Sequence, residues 1–137
     1  MSKQSVYRLP MESRDHECDI QGIVNNAHYQ HYFEHARHRF LQEHEIEFDK
    51  LAKTGINLVV QKIEIEYFAP LKAYDVFDVT VKVNPLSRIR YQFEQEIIHR
   101  QTGKKISRAL TNVIAANESF KPLKNSPLNY FLTNSDH

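Results

Sequence analysis

The stretch "CDIQGIVNNAHYQHYFEHAR", residues 18–37, decides how this chain is read. A carboxylate, Asp19, stands ahead of Gly22 and of the pair Asn25-Asn26. From Ala27 onward Tyr29, Tyr32, Phe33, Ala36 and Phe40 recur at helical spacing. At about 100° per residue they fill one arc of a helix. His28, His31, His35 and His38 fall on the other side. The spacing predicts a helix from about Ala27 to Glu43, with Asn25 or Asn26 as its N-cap.

The start of that helix carries the first chemical signal. A helix N-terminus presents unpaired backbone N–H groups and about half a positive charge. The first turn, Ala27 to Gln30, holds no acid to neutralise it. Such donors suit an anion or the oxygen of a polarised carbonyl. Gly22 can adopt a positive φ and turn the loop tightly, bringing Asp19 toward them. A carboxylate beside an oxyanion site suits acyl transfer, either as nucleophile or as the base that activates water. The plainer reading is that Asp19 is a turn residue, the usual role of Asp in a loop before a helix.

Beyond the helix the period drops to two. Ile63, Ile65 and Tyr67 alternate with Lys62, Glu64 and Glu66, and Pro70 ends the run. Phe77, Val79, Val81 and Val83 alternate with polar residues up to Pro85, and Ile89, Tyr91, Phe93 and Ile97 do the same. Lys105 to Asn117 is apolar on both faces, as in a central strand. "QTGK", 101–104, reads as a hairpin turn around Gly103. Val6 to Met11 is a candidate first strand, 44–61 reads as a connection, and one helical turn is expected near Leu128 to Leu132. One short strand, one long helix and four long strands make an α+β chain. A curved antiparallel sheet of about five strands wrapped around the helix buries the apolar faces of both. The long edges of such a sheet invite pairing between subunits.

With 137 residues, one domain spanning 1–137 is expected, and the tail from about 118, with Pro122 and Pro127, shows no clear period. Lys and Arg total 18 against 17 Asp and Glu, a balance that suggests neither a nucleic-acid nor a membrane-surface partner. The single cysteine, Cys18, excludes an internal disulfide and fits a reducing, cytoplasmic setting. Its neighbours are carboxylates, so it is expected to be inert. The N-terminal stretch shows no apolar signal segment, and no window approaches the roughly 18 apolar residues of a membrane span.

"DIQGIVNNAHY" followed by "FEHAR" resembles the signature of hotdog-fold acyl-CoA thioesterases, in the branch of 4-hydroxybenzoyl-CoA thioesterase and its bacterial acyl-CoA and acyl-carrier-protein hydrolase relatives. "IEIEYFAPL", 63–71, resembles the strand and Pro that follow in that family. Tyr74-Asp75 replaces the Gly-Asp that often follows there, a change expected to alter a turn. The resemblance covers about 5–117. It implies hydrolysis of acyl-CoA to free acid and CoA, with Asp19 as nucleophile or general base and the Asn26 backbone N–H polarising the thioester carbonyl. It implies substrate contacts from Gly22, Val24, Asn25, His28 and Tyr29, no cofactor, and a site built between subunits of a homodimer or a dimer-of-dimers tetramer. Coenzyme A phosphates need cationic donors, and Arg88 and Arg90 are the preferred candidates. Glu34, three residues before Arg37 and four before His38, lies off the apolar stripe and reads as a residue that pairs with one of them. Glu17 reads as solvated. No metal is expected at the histidine face. Two other readings remain: a hydrolase preferring acyl-carrier protein, and a non-catalytic hotdog module binding acyl-CoA or a metal.

Overall fold

The structure, a computed structural model, describes residues 6–133. Its elements run β1 (Tyr7–Glu12), α1 (Asn26–Glu43), α2 (Phe48–Lys53), β2 (Asn57–Tyr67), β3 (Val76–Pro85), β4 (Arg90–His99), β5 (Lys105–Ala116) and α3 (Tyr130–Thr133). Single 3-10 turns lie at Asp15–Glu17 and Pro127–Asn129. The five strands form one antiparallel sheet in the order β1-β3-β4-β5-β2. The expected α+β architecture of a long helix on a five-stranded antiparallel sheet is present.

The inward residues of β3 and β4, Phe77, Val79, Val81, Val83, Tyr91, Phe93 and Ile97, are fully or almost fully buried. Against them α1 lays Tyr29, Tyr32, Phe33, Ala36, Phe40 and Leu41. Tyr32 packs on Phe77 with ring centroids 4.9 Å apart. The tail joins this core: Leu128 and Phe131 are fully buried, and Phe131 stacks on Phe40 at 5.7 Å. The expected helical turn near Leu128 to Leu132 is thus the pair Pro127–Asn129 and Tyr130–Thr133.

Three expectations need correction. The connection read into 44–61 holds α2 and the first part of β2, whose start is Asn57. A bulge between Val60 and Lys62 shifts the register with β5, so the alternation that marks Lys62 to Tyr67 does not extend back through Leu58 to Val60. The histidines do not form one solvated face either: His31 and His35 are exposed, whereas His28 and His38 are half-buried. Burial lowers the His38 pKa. Arg37, which with His38 is an expected partner of Glu34, is 7% exposed; it feels the Glu34 charge, as His38 does, but its hydrogen bond goes to Gln95 at 3.2 Å.

Candidate active site

Asp19 opens a tight turn. The Gly22 N–H returns to the Asp19 carbonyl at 2.9 Å, and Gly22 has φ +79°, a conformation an L side chain rarely adopts. An isolated bridge between Cys18 and Val24 closes the base of the turn. The Asp19 side chain accepts the Gln21 N–H through one oxygen at 2.8 Å, as an Asx turn does. Its second oxygen has no partner among the described residues, and the residue is exposed. The turn reading and the chemical reading of Asp19 therefore coexist in one side chain.

α1 begins directly after the turn. Asn25 is the N-cap, and its side chain accepts the Ala27 N–H at 3.0 Å. The first turn contains no acid. The Asn26 N–H meets no acceptor among the described residues. Asn25 thus satisfies one donor of the helix start and leaves the preceding one open.

What fixes the turn to the helix was not legible in the sequence. The Tyr32 hydroxyl, two helical turns into α1, donates to Glu17 Oε1 at 2.6 Å. The same oxygen accepts the Arg14 N–H at 2.8 Å, and the Glu17 carbonyl accepts the Asn25 N–H at 2.9 Å. Glu17 is therefore a half-buried anchor and not a solvated residue. Burial, reinforced by the neighbouring Glu17 carboxylate, pushes the Tyr32 pKa far upward, so its hydroxyl stays a donor. On the other flank the Leu71 N–H donates to the Tyr29 hydroxyl at 2.9 Å, and the Val24 N–H donates to the Leu71 carbonyl at 2.8 Å. Two buried tyrosines one turn apart on α1 thus hold both sides of the loop that carries Asp19.

Beside the helix start lies an open hollow of about 510 Å³, lined by Val24, Asn26, Tyr29, Tyr67, Phe68 and Pro70 among others. Of the expected substrate-contacting residues, Val24 and Tyr29 meet here, together with Asn26, whose backbone N–H is the expected carbonyl donor. Val24 and Tyr29 are 3% and 2% exposed, so they shape its wall. Gly22, Asn25 and His28 border the loop and the first helical turn outside the hollow, with His28 against His31 at 5.7 Å between ring centroids. Tyr67 and Phe68 join the site without having been singled out. Their signal is two adjacent exposed aromatics where an alternating strand runs into Pro70.

Arg88 and Arg90 are not brought to Asp19. Arg90 sits opposite Ile114 in the sheet, while Tyr67 sits opposite Ser107. Those two β5 positions are seven residues apart, about 23 Å of strand. Arg90 Nε instead donates to Gln61 at 3.1 Å. Cys18 is half-buried, and burial followed by the Asp19 and Glu17 charges raises its pKa, which keeps the thiol protonated. Among the described residues no three His, Cys, Asp or Glu side chains gather as a metal site requires.

A five-stranded antiparallel sheet around one long helix, with a glycine turn and an open helix start at its rim, is the hotdog architecture. The fold is that of Slr0204, a 1,4-dihydroxy-2-naphthoyl-CoA thioesterase from Synechocystis, with a TM-score of 0.89 over 97% of this chain and 99% of that one at 18% identity. The chain belongs to the thioesterase-like superfamily, whose profile matches residues 13–120. Among similar sequences, the chloroplastic acyl-acyl carrier protein thioesterase ATL3 of Arabidopsis thaliana is 28% identical over 118 residues, 86% of this chain and 62% of that protein. The acyl-CoA thioester hydrolase YbgC of Escherichia coli is 25% identical over 97 residues, 71% of this chain and 72% of YbgC. The chain thus spans less than two thirds of its plant relative. No helix among the described residues is long and apolar enough to cross a membrane.

Proposed function

We propose that this protein hydrolyses acyl-CoA thioesters to the free acid and CoA, in the cytoplasm and with no cofactor. The observation that carries the reading is the junction of Asp19 with an acid-free helix start whose Asn26 N–H is open. With the thioester oxygen on that N–H, charge developing on it is stabilised by a fixed backbone donor and the helix dipole. Asp19 then acts in one of two ways. As base, it takes a proton from water while the water oxygen bonds to the carbonyl carbon. As nucleophile, its oxygen forms that bond, and water cleaves the resulting anhydride. In both, the C–S bond breaks and CoA leaves as thiolate, to be protonated by solvent. The hollow lined by Tyr67 and Phe68 offers apolar walls beside the reacting carbon.

The working unit in this reading is a homodimer, or a tetramer made of two such dimers. β2 pairs with β5 on one side only, and Val60 and Tyr67 on it are 49% and 45% exposed. Pairing of β2 with a second copy about a two-fold axis makes the two strands antiparallel. That sets the Tyr67 end of one copy against the Asn57 end of the other. The CoA phosphates then meet the second copy's Arg88 and Arg90 near the first copy's Asp19. The similarity to ATL3 keeps acyl-carrier protein open as the alternative carrier. Assay of matched acyl-CoA and acyl-carrier-protein thioesters tests the reading. Turnover of the CoA series with higher kcat/KM is expected; cleavage of the carrier-protein series alone would replace the carrier, and no cleavage of either would overturn the activity.

A further inference from the structure

A second hollow lies farther along α1, and nothing in the reaction just described uses it. It has about 480 Å³ of empty space between α1 and the β2 side of the sheet, with apolar walls from Leu41, Leu58, Val60, Phe93 and Val113. Arg37 also lines it. A guanidinium has five N–H donors. Among the described residues Arg37 makes one hydrogen bond, to Gln95 Oε1, and no ion pair. Gln95 is itself fully buried and is fixed by donating to the Phe33 carbonyl at 3.0 Å. The receiving side chain is therefore held in place before any ligand arrives.

Leaving a buried cation short of acceptors is unfavourable unless something supplies them. Burial pulls the Arg37 pKa down, opposed by the Glu34 charge at the rim. A second buried polar atom repeats the pattern: Thr111 Oγ1 has no partner among the described residues. Thr111 sits opposite Phe93 in the sheet and two residues before Val113, both lining the hollow. Thr111 lies behind this wall and not on it; on the wall, Arg37 stands with Glu34 and His38 among apolar side chains, which matches an apolar chain that carries an oxygen acceptor. Asn26 and Arg37 are eleven residues apart on α1, about 16 Å along its axis. Between them the β2 side of the seam presents the half-buried Ile63 and Ile65.

We infer that this hollow is the specificity site for the acyl group, and that Arg37 selects acyl chains bearing an oxygen function remote from the thioester. The inference rests on the thioesterase reading for its substrate but not for its readout. The probes are octanoyl- and dodecanoyl-CoA and the CoA thioesters of the matched ω-hydroxy and dicarboxylic acids. Wild-type protein is expected to favour one oxygenated series over the saturated one by at least about tenfold, the cost of an unmade hydrogen bond to a charged group. The two oxygenated series tell a neutral acceptor from an anion. Arg37→Met should bring that ratio close to one while saturated chains change less than about threefold. Dissociation constants of non-hydrolysable thioether analogues give the same ratio without turnover, so a protein that binds selectively yet cleaves nothing would remove the hydrolysis reading and leave this one standing. Val60→Phe, at a half-exposed position on the hollow's wall, is the second variant should Arg37→Met fail to fold. Because β2 is also the proposed pairing edge, this variant is compared only with its oligomer intact by light scattering, and it should then abolish the preference between acyl series. A wild-type ratio near one, or a ratio that survives both substitutions, overturns the inference.

Discussion

Asp19, ahead of α1, and Glu34, within it and lining a hollow, are both exposed carboxylates, and they differ in the backbone around them. Asp19 lies just ahead of the helix, where the Asn26 N–H is open. Glu34 lies in the helix interior, where each backbone N–H is bonded to the carbonyl four residues back. Glu34 therefore has a cation nearby, Arg37, and no backbone donor to stabilise an oxyanion. In the proposed reading, the position of a carboxylate relative to a helix end, more than its exposure, marks Asp19 and not Glu34 as the reacting group.

The two carboxylates should differ most in turnover. Asp19→Asn keeps the size of the side chain and removes its basicity, so kcat on the best acyl-CoA should fall at least about a hundredfold, roughly 2.7 kcal/mol of transition-state stabilisation. KM should stay near its original value, because in the proposed reading Arg88 and Arg90, and not Asp19, bind the CoA phosphates. Glu34→Gln should cost less than about tenfold by the same arithmetic. Equal losses in the two variants would erase the distinction.

A smaller effect should come from the anchor of the Asp19 turn. Tyr32→Phe removes the donor to Glu17 and leaves the turn less firmly aimed, so kcat should drop on the order of tenfold. Thermal or denaturant unfolding should register a loss of about 1.5–3 kcal/mol, the range for a hydrogen bond to a charged group. Glu17→Gln keeps an acceptor and should recover part of both. A Tyr32→Phe protein that is destabilised yet turns over at the wild-type rate would make the contact structural only. Smallest of all should be the response to chelation: EDTA is expected to leave hydrolysis unchanged, and activity lost in EDTA and restored by zinc would place a metal in the site.

The sequence carries the helix and most of the strands because their patterns are local. Tyr29 to Phe40 at helical spacing, and Phe77 to Val83 at alternate positions, each mark one face of one element. The first part of β2 was hidden because the bulge at Val60/Lys62 breaks the alternation. α2, "FDKLAK", is too short to show a period. In the site, the Asp19–Gly22 turn and the Asn25 cap were legible as residue types at fixed spacing. The Tyr32–Glu17 bond joins residues fifteen apart through the fold, and no local pattern announces it. The burial of Arg37 is hidden for the same reason: its hydrogen-bond partner, Gln95, is fifty-eight residues away.

Whether the start of α1 holds the thioester oxygen can be read from the vibration of the carbonyl itself. An acyl-CoA labelled with carbon-13 at the thioester carbonyl, bound to the slow Asp19→Asn protein, can be read by isotope-edited infrared difference spectroscopy. A carbonyl hydrogen-bonded to the Asn26 N–H in the field of the helix dipole should absorb at lower frequency than the same carbonyl in free acyl-CoA. A bound carbonyl band at the frequency of the free thioester would contradict the account.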